Sequence, residues 1–331
     1  MSMGGFANQD SLTLNGGATT PANLTIVGST GTNTLLRTTV NGQGTVDNAA
    51  GSTVQLGALT MANNATLTKL GGGTMEIGGA ASIGTGTTLA ATAGTTNIGA
   101  SLRLGTLSVG DGATARITTG GVKNVVTGAL TFAGGTTPTG TLDVTSQGVV
   151  VDYPAAGPNP GADIRAQIIS GRGAPGLIGT WDGKGITSST SAAAPDSTSV
   201  GYAVNGDMPL GPVATFRGEA VDVSSVLIRH TRLGDANLDG VVNDDDVTIV
   251  GAVYAPGVPN ASWANGDFDY NGFVDDDDVT LLGALYNPGL PPLPAPQGGV
   301  AAVPEPATWL MLTLGGLGAG LFGWRRRKAS K

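Results

Sequence analysis

Leu67-Thr68-Lys69-Leu70-Gly71-Gly72-Gly73-Thr74-Met75-Glu76-Ile77-Gly78-Gly79 sets two runs of apolar alternation on either side of a three-glycine turn. Period-two alternation over four or five residues, closed by Gly, marks a half-buried strand. Kindred runs lie around it: Leu12-Thr13-Leu14-Asn15-Gly16-Gly17, Leu24-Thr25-Ile26-Val27-Gly28 and Leu107-Ser108-Val109-Gly110-Asp111-Gly112. Residues 1–150 hold 32 of the 42 Thr and 29 of the 56 Gly in the chain, with only 10 charged residues and no sustained helical period. Thr and Val suit a pleated surface, and Gly and Asn supply the tight turns. Many short strands fit a solenoid or a sandwich. Phe6 and Phe132 are the only aromatic residues in the region, too few for a sandwich core, so the reading is a β-solenoid.

The same stretch, followed by Gly84-Thr85-Gly86-Thr87-Thr88-Leu89, resembles the autotransporter-associated β-strand repeat. That resemblance implies a right-handed β-helical stalk of the kind found on secreted bacterial surface proteins.

Composition narrows the function. The 331 residues carry a net charge of -8, which argues against nucleic acid as a partner. With no Cys there is no disulfide frame, thiolate zinc site or Cys nucleophile. The single histidine, His230, excludes a two-histidine metal site and is expected at a solvent-facing strand position in Val226–Thr231. No carboxylate pair stands out among Asp10, Asp47, Glu76, Asp111 and Asp143, and no catalytic residue is assigned: the chain reads as a non-enzyme. Residues 151–232 form a β-rich extension, with strand-like runs at Ile164–Ile169, Tyr202–Val204 and Val221–Ile228. Gly179–Ser189 looks like a connector of planctomycete-type secreted proteins, and Trp181 within it is expected to be local core.

The sharpest chemistry is a duplication. GDANLDGVVNDDDVTIVGAVYAPG from Gly234 and GDFDYNGFVDDDDVTLLGALYNPG from Gly266 agree at 14 of 24 positions. Each opens with D-x-[DN]-x-[DN]-G, the spacing of a calcium loop, in which alternate oxygens point inward around a hard ion and Gly permits the sharp turn. The expected ligands are Asp235, Asn237, Asp239, the Val241 carbonyl, Asn243 and Asp246 in the first copy. In the second they are Asp267, Asp269, Asn271, the Phe273 carbonyl, Asp275 and Asp278. A short helix follows each loop, with Val247, Val250 and Tyr254, or Val279, Leu282 and Tyr286, on one face. Two loop-helix halves, Asp at position twelve and the Pro-containing linker Ala255–Ala264 together resemble a type I dockerin over residues 233–289. The resemblance implies two Ca2+ sites and a cohesin-like protein partner at loop positions ten and eleven. Those positions are Asp244, Asp245, Asp276 and Asp277, acidic where the family often carries hydroxyl pairs.

A Pro-rich linker, 290–302, leads to Pro304-Glu305-Pro306, then 18 uncharged residues (307–324) and Arg325-Arg326-Arg327-Lys328. A helix of that length just spans a roughly 30 Å hydrocarbon core, with Trp309 and Trp324 near its ends and the basic cluster cytoplasmic. The order resembles a PEP-CTERM sorting signal (303–331), implying an exosortase-type sorting enzyme as partner. It further implies an exported protein, held by the membrane helix at least until cleavage, with Met1–Ala302 outward. Met1–Asn8 lacks the basic and apolar parts of a signal peptide, so a segment upstream of Met1 is expected. The fold class is mainly β, with a solenoid, a small all-α calcium module and a transmembrane helix. The expected function is non-catalytic, at the cell surface or in the matrix; the alternative is the C-terminal part of a polysaccharide-degrading protein.

Overall fold

A short strand with one apolar face cannot bury it alone. The chain buries these faces by coiling: successive coils add one strand to each of two sheets, whose apolar faces meet inside. This computed structural model describes residues 2–3, 8–17, 20–26, 31–259 and 261–293, and its solenoid makes about six turns. One sheet stacks Ala22–Ile26, Gln43–Asn48, Thr66–Leu70, Thr88–Ala91, Leu102–Val109, Asn124–Phe132 and Gly148–Asp152, all parallel. The other stacks Thr32–Val40, Thr53–Met61, Thr74–Ile77, Thr95–Ile98, Thr114–Ile117 and Thr141–Asp143.

Register places like on like. Leu56, Ile77, Ile98 and Ile117 lie on successive strands of one sheet and are all fully buried. Each such side chain contributes about 1.5–3 kcal/mol by leaving water. On the outer face of the same strands Thr53, Thr74, Thr95 and Thr114 stand in register. Close stacking requires glycine at some positions: a Cβ on Gly79 would sit 1.2 Å from the Gly57 carbonyl oxygen of the neighbouring coil. Lys69 is a charged residue in the interior, in register with Val46 and Ala91. It is fully buried, donates to the carbonyls of Leu70, Gly71 (2.7 Å) and Ala93 (3.4 Å), and burial pushes its pKa down to about 8.

Past residue 150 both sheets continue. Gly185–Thr187 adds to Thr141–Asp143 in parallel, while Ser225–Arg232 pairs antiparallel with Gly148–Asp152 and then with Thr198–Val204. Three expectations are corrected here. Ile164–Ile169 is not a strand but part of α1 (Gly161–Arg172), whose buried Ile164, Ile168 and Gly171 recur at helical spacing. The run from Val221 becomes strand only at Ser225, after a turn at Asp222–Ser224. His230 is not solvent-facing: it is 4% exposed, on a strand paired on both edges, by Gly148–Asp152 and Thr198–Val204, and its ring lies near Arg229, Arg217 and Arg232. Trp181 is buried local core.

A short helix, α2 (Ser189–Ala193), precedes Thr198–Val204. The two copies of the duplicated loop end in α3 (Asp244–Val253) and α4 (Asp276–Leu285). Of the six residues of the helical faces read from sequence, two are buried. Val250 and Leu282 face inward with Ile249 and Leu281, while Val247, Tyr254, Val279 and Tyr286 are exposed. Residues 294–331, which include Pro304, Glu305, Pro306 and the expected span 307–324, lie outside the described residues. Among the described residues no helix is long and apolar enough to cross a membrane.

Candidate metal centre

Both loops fold around their first and twelfth carboxylates. In the second, Asp267 accepts from Gly272 N at 3.2 Å, and Asp278 accepts from Phe268 N at 2.7 Å and Asp275 N at 3.0 Å. In the first, Asp235 accepts from Asp239 N at 3.1 Å and Gly240 N at 2.8 Å, with Thr231 Oγ1 as a further donor. Asp246 accepts from Ala236 N at 2.8 Å and Asn243 N at 2.9 Å, closing a capping box at the start of α3. Asp275 and Asp278 close the same box on α4, so position twelve serves loop and helix at once. The sharp turn falls where the spacing requires it: Leu238 and Gly240 have φ of +61° and +93°, Tyr270 and Gly272 +64° and +96°.

The expected ligands converge most closely in the second loop. Carboxylate oxygens of Asp267, Asp269 and Asp278 all lie within 4.8 Å of one another, and the three residues are largely buried. Asn271 bridges Asp269 and Asp275 through its amide at 3.2 and 3.3 Å. In the first loop Asn237 takes the place of Asp269, and Asn237 and Asn243 reach Asp239 at 3.3 and 3.4 Å. Val241 and Phe273 directly follow the loop glycines, as expected of position seven. Burial raises the carboxyl pKa values, to about 7 for Asp235 and Asp278 and about 6 for Asp246; Asp267 and Asp269 shift upward for the same reason. An all-oxygen, convergent, buried anionic set fits a hard divalent cation, whose charge would offset that burial.

Several residues at the site carried no sequence signal. Trp263, between the loops, is fully buried and donates to the Asp235 carbonyl. Arginines of the solenoid's end hold the position-four carbonyl of each loop: Arg229 Nη1 donates to Leu238 O at 2.6 Å and Arg165 Nη2 to Tyr270 O at 3.2 Å. Arg165 is also ion-paired with Asp267 at 2.7 Å.

Asp244, Asp245, Asp276 and Asp277 sit exposed in the first turns of α3 and α4. Two are engaged across the duplication: Tyr254 donates to Asp276 and Tyr286 to Asp244, each at 2.5 Å.

Residues 302–328 match a family model described as the PEP-CTERM protein-sorting motif. The motif indicates an exported, cell-surface protein processed by an exosortase-type sorting enzyme. Comparison of the chain with curated proteins and with solved structures gives no match.

Proposed function

We propose that this chain is a non-catalytic surface or matrix protein, in which a β-solenoid stalk of autotransporter-repeat type ends in a dockerin-like module that binds two calcium ions. The observation that carries the calcium reading is the convergence of Asp267, Asp269 and Asp278 in a buried loop that also has the calcium-loop spacing. Calcium supplies charge compensation, and the chain's own residues do the rest. Asp235 and Asp267 anchor the loop glycines, Asp246 and Asp278 tie loop to helix, and the duplicated helices present Asp245 and Asp277 for a protein partner of cohesin type. The C-terminal motif accounts for export; a transient helix over 307–324 accounts for membrane retention before processing.

Calorimetric titration of the full chain with CaCl2 tests the reading. Two equivalents should bind, and Asp267→Ala with Asp235→Ala should abolish uptake. A chain that takes up no calcium would sink it.

A further inference from the structure

The two loops differ in charge. Among the expected ligands the second offers four carboxylates, Asp267, Asp269, Asp275 and Asp278; the first offers three, Asp235, Asp239 and Asp246. More carboxylates mean tighter calcium binding, other things equal. Yet the loop with the extra negative charge also has a cation on its first carboxylate. Arg165 Nη2 lies 2.7 Å from Asp267 Oδ2, and the Asp267 side chain is fully buried. Among the described residues no Lys or Arg ion-pairs with Asp235, the equivalent position: its contacting donors are Thr231 and loop N–H groups, and the charges of Arg229 and Arg232 act on it only at longer range.

Arg165 is held from outside the duplication. It projects from α1, donates also to Tyr270 O, and its guanidinium lies 5.9 Å from the Tyr270 ring centroid. A dication on Asp267 would share that carboxylate with a fixed guanidinium, and like charges at such range in a buried loop repel strongly.

We propose that Arg165 is a built-in counter-ion of the second loop, lowering its calcium affinity toward that of the first so that both fill over one concentration range. The proposal rests on the calcium reading above. It makes Arg165 a positioning residue that tunes a site to which it contributes no ligand.

The test is calorimetry of the full chain with CaCl2, in a parent carrying Asp235→Asn and Asp246→Asn so that only the second loop reports. Arg165→Met should tighten calcium binding at least about tenfold, and Arg165→Lys, which keeps the charge, should stay within about threefold of the parent. Unchanged or weaker binding by a folded Arg165→Met chain overturns the proposal. If that variant does not fold, the parent is compared with a chain carrying Asp267→Asn and Asp278→Asn instead. A second loop no more than about tenfold tighter than the first supports the proposal, and a larger gap overturns it. Absence of uptake at either loop removes the calcium reading itself; uptake at both with the second unmoved by Arg165→Met removes this inference alone.

Discussion

The indole Nε1 of Trp263 donates to the backbone carbonyl of Asp235 at 2.7 Å, linking the segment between the two loops to the first residue of the first loop. Trp263 is fully buried, packs edge-on against Phe268, and lies over Gly201, where an added Cβ would meet the indole nitrogen at 2.5 Å. One side chain therefore joins both loops to the last strand of the solenoid's end. Trp263→Ala should cost about 3–5 kcal/mol, the usual range for emptying a buried aromatic site. Denaturant unfolding of the full chain measures it; a loss under about 1 kcal/mol would show that the loops hold their place without this contact.

Calcium should appear in stability as well as in binding. A ligand that binds only the folded state adds about 2.7 kcal/mol at a free concentration one hundred times its Kd. The melting temperature should therefore rise with added CaCl2 and fall with chelator. Asp278→Asn should remove about half of the rise, since it leaves the first loop intact while taking a buried carboxylate from the second. Equal melting in calcium and chelator contradicts the coupling of the loops to the fold.

Much of this was legible in the chain. Period two in Thr66–Leu70 puts Leu67 inside and, by the same parity, Lys69 as well, and the structure buries both. The loops were legible because D-x-[DN]-x-[DN]-G encodes a local turn, set by residues five or six apart. What failed was non-local. Ile164–Ile169 is apolar enough for a strand, but its core contacts are at helical spacing, visible only once α1 lies beside Gly185–Thr187. His230 alternates like a surface residue, yet it is buried in a strand paired on both edges, with the distant Arg217 among the charges near its ring. Arg165 reaches Asp267 across 102 positions, a separation that no motif spans.

The burial of His230 gives a pH signature. Neither ring nitrogen has a hydrogen-bond partner, and desolvation, aided by the charges of Arg229, Arg217 and Arg232, lowers its pKa from 6.5 to about 4. Above pH 6.5 the imidazole is neutral in both folded and unfolded chains. Between 6.5 and 4 the unfolded chain takes up a proton that the folded one refuses, so stability falls as pH falls, by up to about 3 kcal/mol. The raised carboxyl pKa values of Asp235, Asp246 and Asp278 slope the opposite way in this range, so the comparison must be a difference. His230→Phe minus wild type should gain stability steadily as pH drops from 6.5 to 4; a flat difference would place His230 in a solvated or bonded environment.

Gly78 and Gly79 are neighbours in sequence and opposites in the solenoid. A Cβ on Gly79 would fall 1.2 Å from the Gly57 carbonyl oxygen, whereas one on Gly78 meets nothing within 4 Å. Neither residue has the positive φ that strains an L side chain, so the two substitutions differ in space alone. Gly79→Ala must push two coils apart at a point where their backbones touch, and should cost on the order of 4 kcal/mol, the range of severe overpacking. Gly78→Ala should be neutral or stabilise by up to about 1 kcal/mol, because it restricts the unfolded chain without crowding the folded one. Thermal melts of the pair decide the matter: similar effects at both positions would mean that glycine is used here for turn flexibility, while the predicted split ties the glycine content of the stalk to the distance between its coils.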